Sequence, residues 1–76
     1  MNAKRRKEIE KLYTQLEDIK TAIESIRDEE EEAYDNLPES LQDGERGDKM
    51  QEAMDNLENA ADGINDVLDY LNDTTN

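Results

Sequence analysis

The side chains with chemical reach in this sequence are carboxylates. Asp48, Asp55, Asp62 and Asp69 recur every seven residues, and Glu52, Asp66 and Asp73 fill the neighbouring row, where Asn59 replaces an acid. On a helix these residues form one stripe, with carboxylates roughly 5–6 Å apart between adjacent turns. Such a stripe could serve acid–base catalysis, cation binding or recognition of a basic surface. Histidine and cysteine are absent, which removes the commonest general base, thiolate nucleophiles and the usual zinc ligands. Paired carboxylates catalyse glycoside hydrolysis only in a cleft that pushes their pKa values apart, and solvated acids on a helix have no such cleft.

The glycine-containing segment "DEEEEAYDNLPESLQDGERGDK" (28–49) also lacks the chemistry it superficially offers. An EF-hand loop needs oxygen ligands at alternate positions, glycine at the sixth and glutamate at the twelfth. Counting from Asp43 places Arg46 fourth, Asp48 sixth and Met54 twelfth, leaving only weak, adventitious association with divalent ions. Gly44 and Gly47 lie among acids that repel phosphate, and the tripeptide Arg46-Gly47-Asp48 is too short a match to an adhesion motif to carry weight. Tyr13, Tyr34 and Tyr70 are the only aromatics and suit the edges of a helical seam. The sequence reads as non-enzymatic, with no cofactor and no metal site.

Recognition by charge remains. The 76 residues hold 22 acidic and 9 basic side chains, a net charge of −13. Two readings of the stripe stay open. One is a solvated face that confers solubility, and the other is a contact surface comprising Asp48, Glu52, Asp55, Asp62, Asp66 and Asp69. Aspartate is a poorer helix former than glutamate or lysine, and like charges at this spacing cost helix stability, so solubility alone would favour mixed signs. Rows of carboxylates can imitate a phosphate backbone and occupy the basic groove of a nucleic-acid-binding protein. Direct binding of nucleic acid by this chain is disfavoured by the same charge.

The elements that position these acids follow from hydrophobic periodicity. Ile9, Leu12, Leu16, Ile19, Ile23 and Ile26 alternate steps of three and four, as do Met50, Ala53, Leu57, Ala60, Ile64, Val67 and Leu71; this is heptad spacing. The first register continues to Glu30, Ala33 and Leu37. Met54, Ala61 and Leu68 widen the second stripe. The spacing predicts an all-α, antiparallel two-helix hairpin, with one helix over 3–35, a turn over 36–47, a second helix over 48–72 and a frayed tail at 73–76. Leu37 precedes Pro38, which disfavours helical geometry, and Pro38 suits the first position of a short helical turn. Asp48 with Gln51 has the form of a capping box. Asn36, Pro38, Gly44, Arg46 and Gly47 mark the reversal.

Pairing positions that sum to about 80 sets Ile9 by Leu71, Leu12 by Leu68, Leu16 by Ile64 and Ile23 by Leu57. Ile19 then faces Ala60 and Ala61, and Ile26 faces Ala53 and Met54, matching large residues to small. Lys4, Arg5, Arg6 and Lys7 would neutralise Asp69 and Asp73, while Arg46 and Lys49 would neutralise Asp28 to Glu32. A chain of this length buries only about 60% of its unfolded surface. The expected second source of stability is association of two hairpins into a four-helix bundle, with Met54, Ala61 and Leu68 at the oligomer interface. A homodimer is favoured over a trimer or a heterologous docking face. No apolar run approaches a membrane span, and the basic start is followed by amphipathic sequence instead of a signal-peptide core. The expectation is a cytoplasmic protein without membrane contact.

One stretch carries a resemblance. Asp35, Asn36, Pro38, Glu39, Leu41 and Gln42 form a "DN-x-P-E-x-L-Q" turn, followed by Glu45-Arg46-Gly47 and a helix with alanine and leucine in heptads. The segment resembles the second half of small acidic helical proteins encoded by phages, prophages and related mobile elements of Gram-positive bacteria. The resemblance covers about two thirds of the chain and implies a genomic setting and a bacterial cytoplasm, not a reaction. Small acidic phage proteins include inhibitors of host nucleases, restriction and other defence systems, so it also implies a basic protein as partner. The competing expectation is a structural or assembly protein acting through its apolar helix face.

Overall fold

The computed structural model describes residues 1–75; Asn76, in the expected tail, lies outside the described residues. Two long helices, α1 (Ala3–Asp35) and α3 (Glu45–Thr75), pack antiparallel and are joined through the single-turn α2 (Glu39–Gln42). No strand occurs among the described residues. The hairpin measures 58 × 15 × 13 Å, with a radius of gyration of 17.3 Å, against about 11 Å for a compact globule of this length.

Local chemistry sets the helix ends. Asn2 caps α1, its Oδ1 accepting the Arg5 N–H at 2.9 Å, a cap missed in the sequence because a basic cluster follows it. Asn36 closes α1, its N–H donating to the Glu32 carbonyl at 3.1 Å while the Leu37 N–H donates to the Tyr34 carbonyl at 3.0 Å. Pro38 is the N-cap of α2, not its first helical residue; its carbonyl accepts the Leu41 and Gln42 N–H groups. The Gln42 side-chain amide donates to the Tyr34 carbonyl at 2.9 Å, tying α2 to the end of α1.

The second helix begins earlier than the expected residue 48 and runs past 72 through Thr75, so residues 73–75 are helical. Asp48 is accordingly not a cap: its N–H donates to the Gly44 carbonyl, inside the first turn, where acids are favoured by the helix dipole. Gln51 serves the hairpin instead of a capping box, donating to the Tyr34 hydroxyl at 2.9 Å. Gly47 is buried, and a Cβ there would sit 1.9 Å from the Gln42 carbonyl oxygen. Glycine at this position lets the first turn of α3 cross the backbone of α2.

The seam uses a different edge of the apolar stripe from the one expected. On α1, Ile9, Leu16 and Ile23 are half-buried together with Tyr13, Lys20, Arg27, Glu30 and Tyr34, whereas Leu12, Ile19 and Ile26 are 50%, 49% and 52% exposed. On α3, Met50, Met54, Leu57, Ile64 and Leu71 are half-buried, Ala61 and Leu68 are buried, and Ala60 and Val67 are exposed. Met54, Ala61 and Leu68 therefore belong to the hairpin's own seam, which corrects their expected place at an oligomer interface. Residues four apart turn about 40° past one full turn, and residues three apart fall about 60° short of it. The closing turn rotates each helix so that its plus-four edge meets the other helix.

The register also differs by about one helical turn. Arg27 shares a groove with Leu57 and Ala61, and Ile9 and Tyr13 share another with Leu71 and Thr75, so Leu57 lies nearer Arg27 than Ile23. With Ile9 at the level of Thr75, the cluster Lys4 to Lys7 overhangs the end of α3. The three ion pairs among the described residues, Arg27–Asp28, Arg27–Glu31 and Lys49–Glu45, all lie within single helices. The expected charge matching across the hairpin is thus absent among those residues: the shift carries the basic end beyond its supposed partners.

Candidate interaction faces

Residues on the plus-four edge of α1 and the plus-four edge of α3 line the same grooves: Tyr13 with Thr75, Arg27 with Ala61, and Tyr34 with Met54. These edges therefore share one side of the hairpin. The opposite edges must share the other side. There Leu12, Ile19 and Ile26 of α1 run beside Ala53, Ala60 and Val67 of α3, with Ala22, Gly63 and the 74%-exposed Tyr70 along their outer flanks. No charged residue interrupts these two rows between Leu12 and Ala33 or between Ala53 and Thr74.

The heptad rows of acids lie on the groove side and the outer backs, whereas Glu8 shares the bearing of Ile26 and half-buried Glu30 that of Leu12. Asp48, Glu52, Asp55, Asp62, Asp66 and Asp69 are all exposed, and none joins an ion pair among the described residues. A rise of about 1.5 Å per residue repeats the Asp48, Asp55, Asp62, Asp69 series every ~10 Å along α3. The structure adds a row that the sequence reading missed. Glu10, Glu17, Glu24 and Glu31 recur every seven residues on α1 and are exposed, and Glu24 shares a groove with Glu58 and Asp62. Their equal spacing was the available signal. Period alone does not relate this row to the aspartates of α3, and only the fold puts both series on one side.

Arg27 is the ion-paired cation within this acidic side. Its Nη1 donates to Asp28 Oδ1 at 3.2 Å and to Glu31 Oε2 at 3.1 Å, while its Nε is buried without a hydrogen-bond partner. The Glu31 charge, the Asp28 hydrogen bond and the Glu58 charge from α3 raise its pKa above the ordinary arginine value, against a smaller desolvation effect. It therefore stays protonated and partly offsets repulsion between the helices' acids. Half-buried Lys20 makes the remainder of this edge polar.

The grooves are open; one of about 430 Å³ is lined by Ile9, Tyr13, Leu71 and their neighbours and lies away from the acidic centre. No group of three or more carboxylates among the described residues is placed to hold a metal ion. No described helix is long and apolar enough to cross a membrane. The turn residues Asn36, Pro38, Gly44 and Gly47 act locally in the chain reversal, and Arg46 is exposed. No protein-family model matches this chain, and none of the curated proteins or solved structures is similar enough to it to carry an argument.

Proposed function

We propose that this chain is a non-enzymatic interaction protein that binds and occludes a basic protein surface, one that ordinarily holds nucleic acid. The supporting observation is segregation: carboxylates in heptad rows, of which Glu31 alone joins an ion pair among the described residues, occupy one side of the hairpin, and the uncharged apolar rows occupy the other. Two hairpins joined by their apolar sides into a four-helix bundle would present acids on both outer surfaces. The spacing of charge then imitates a nucleic acid backbone, and the resemblance to small acidic proteins of phages and prophages points to a host defence or DNA-handling protein as target, in a bacterial cytoplasm.

The test is capture of partners from a bacterial host lysate at low and high salt. Binding should weaken steeply with salt and with charge reversal at Asp55 and Asp62. A partner set without basic or nucleic-acid-handling proteins defeats the proposal. The exposed row Leu12, Ile19 and Ile26 favours a second reading, an assembly protein acting through its apolar face. That reading expects Ile19→Glu to abolish function and the aspartate reversals to leave it intact.

A further inference from the structure

We infer that the face formed by Leu12, Ile19, Ile26, Ala60 and Val67 receives a second copy of this chain, related by a two-fold axis perpendicular to the long axis, with the two turns at opposite ends. The inference rests on the association of hairpins proposed above and specifies its surface and orientation. Area is the first argument. The hairpin exposes 5703 Å², against about 4,800 Å² for a compact monomer of its mass. One face of 58 × 15 Å also matches the ~800 Å² that each partner contributes to a standard interface.

Self-complementarity is the second. Ile19 is the midpoint of α1 (Ala3–Asp35). An antiparallel copy of α1 centred there sets Ile19 against Ile19, Leu12 against Ile26 and Arg5 against Ala33. All five residues lie on the same outward heptad row. A C2 interface requires this pattern, in which each contact occurs twice about a self-facing centre. On α3 the same axis passes near Asn65, by the register that sets Ile9 level with Thr75, and brings Val67 against Gly63, a large residue against one without a side chain.

Charge selects the orientation. Lys4, Arg5, Arg6, Lys7 and Lys11 have no ion pair among the described residues, and the first four overhang the end of α3. The other end of α1 holds Asp28, Glu29, Glu30, Glu31, Glu32 and Asp35 with no basic residue among them. Turns at opposite ends bring each basic overhang to the other copy's acidic run. Turns at the same end would gather both acidic runs at one end of the bundle and both basic overhangs at the other, which is unfavourable.

The chain has no cysteine, so single introduced cysteines read the geometry directly. Sedimentation equilibrium of the unmodified chain should give two copies, and Ile19→Glu should reduce this to one while retaining helical circular dichroism. Under mild oxidation Ile19→Cys should form a covalent dimer on the order of a hundred-fold faster than Asp62→Cys, because the paired thiols have a millimolar effective concentration. A mixture of Arg5→Cys and Ala33→Cys chains should cross-link to each other in preference to themselves. A monomeric unmodified chain, or a trimer, overturns both this inference and the bundle. A dimer whose Ile19→Cys variant fails to cross-link overturns the orientation alone, leaving charge-dependent partner capture to be judged separately.

Discussion

Ile9, Leu16 and Ile23 are half-buried against α3, while Leu12, Ile19 and Ile26, three residues further along the same helix, remain about half exposed. The two rows have the same side-chain chemistry and the same period. The difference is one of rotation: a helix about 10 Å across meets one neighbour over only part of its surface, and the turn determines which part. The row left over is no worse a core than the row used. A hairpin with a single thin seam, in which Ala61 and Leu68 are the only buried hydrophobic residues among those described, therefore carries a second, ready-made packing surface.

Substitutions should separate the inner and outer surfaces by size of effect. Gly47→Ala lies at the inner extreme. With backbone 1.9 Å from the new Cβ, the turn must reorganise, and thermal denaturation should show a loss on the order of 3 kcal/mol or more. Leu68→Ala truncates a buried hydrophobic side chain of the seam and should cost ~2–4 kcal/mol in the same assay. A loss below that of an outer substitution would mean the seam is misassigned.

Gly63→Ala tests the outer surface of the same helix. Nothing lies within 4 Å of a Cβ at this position, so the gain in helix propensity should raise stability by up to ~1 kcal/mol. A loss would indicate close approach by another chain. The smallest intrinsic effect is expected for Ile26→Ala. Measured in dilute solution it should stay within about 0.5 kcal/mol, and the deficit should grow with protein concentration because dimerisation stabilises the unmodified chain by mass action. A deficit independent of concentration would remove the outer row from any self-association.

The acidic side shows how far a site can be read without coordinates. The α3 stripe was legible because Asp48, Asp55, Asp62 and Asp69 share one period and helical geometry turns period into position. Its extension by Glu10, Glu17, Glu24 and Glu31 was not, because the relative rotation of two helices is not encoded in the period of either. Arg27 illustrates the same limit. Its ion pairs with Asp28 and Glu31 follow from spacing along α1, but its place among Leu57, Glu58 and Ala61 depends on register.

Gln42, Gly47 and Gln51 are instructive for the turn. As letters they read as turn composition or as half of a capping box. In three dimensions Gln42 and Gln51 both bond Tyr34, one at its carbonyl and one at its hydroxyl, and Gly47 admits the backbone crossing between them. None of these roles has a local signature, since each partner lies on a different element.

The sequence by itself determined that this chain is helical, that it reverses near Pro38, and that its working chemistry is that of carboxylates without histidine or cysteine. Those properties follow from short-range physics: heptad spacing, proline geometry and side-chain inventory. Only the tertiary structure decided which apolar row is sealed and which is offered, how far α1 overhangs α3, and that acids and outward apolar residues occupy opposite sides. These depend on one rotation and one translation between two helices. They are set where the turn's backbone must fit around Gly47, and no period in the sequence contains them.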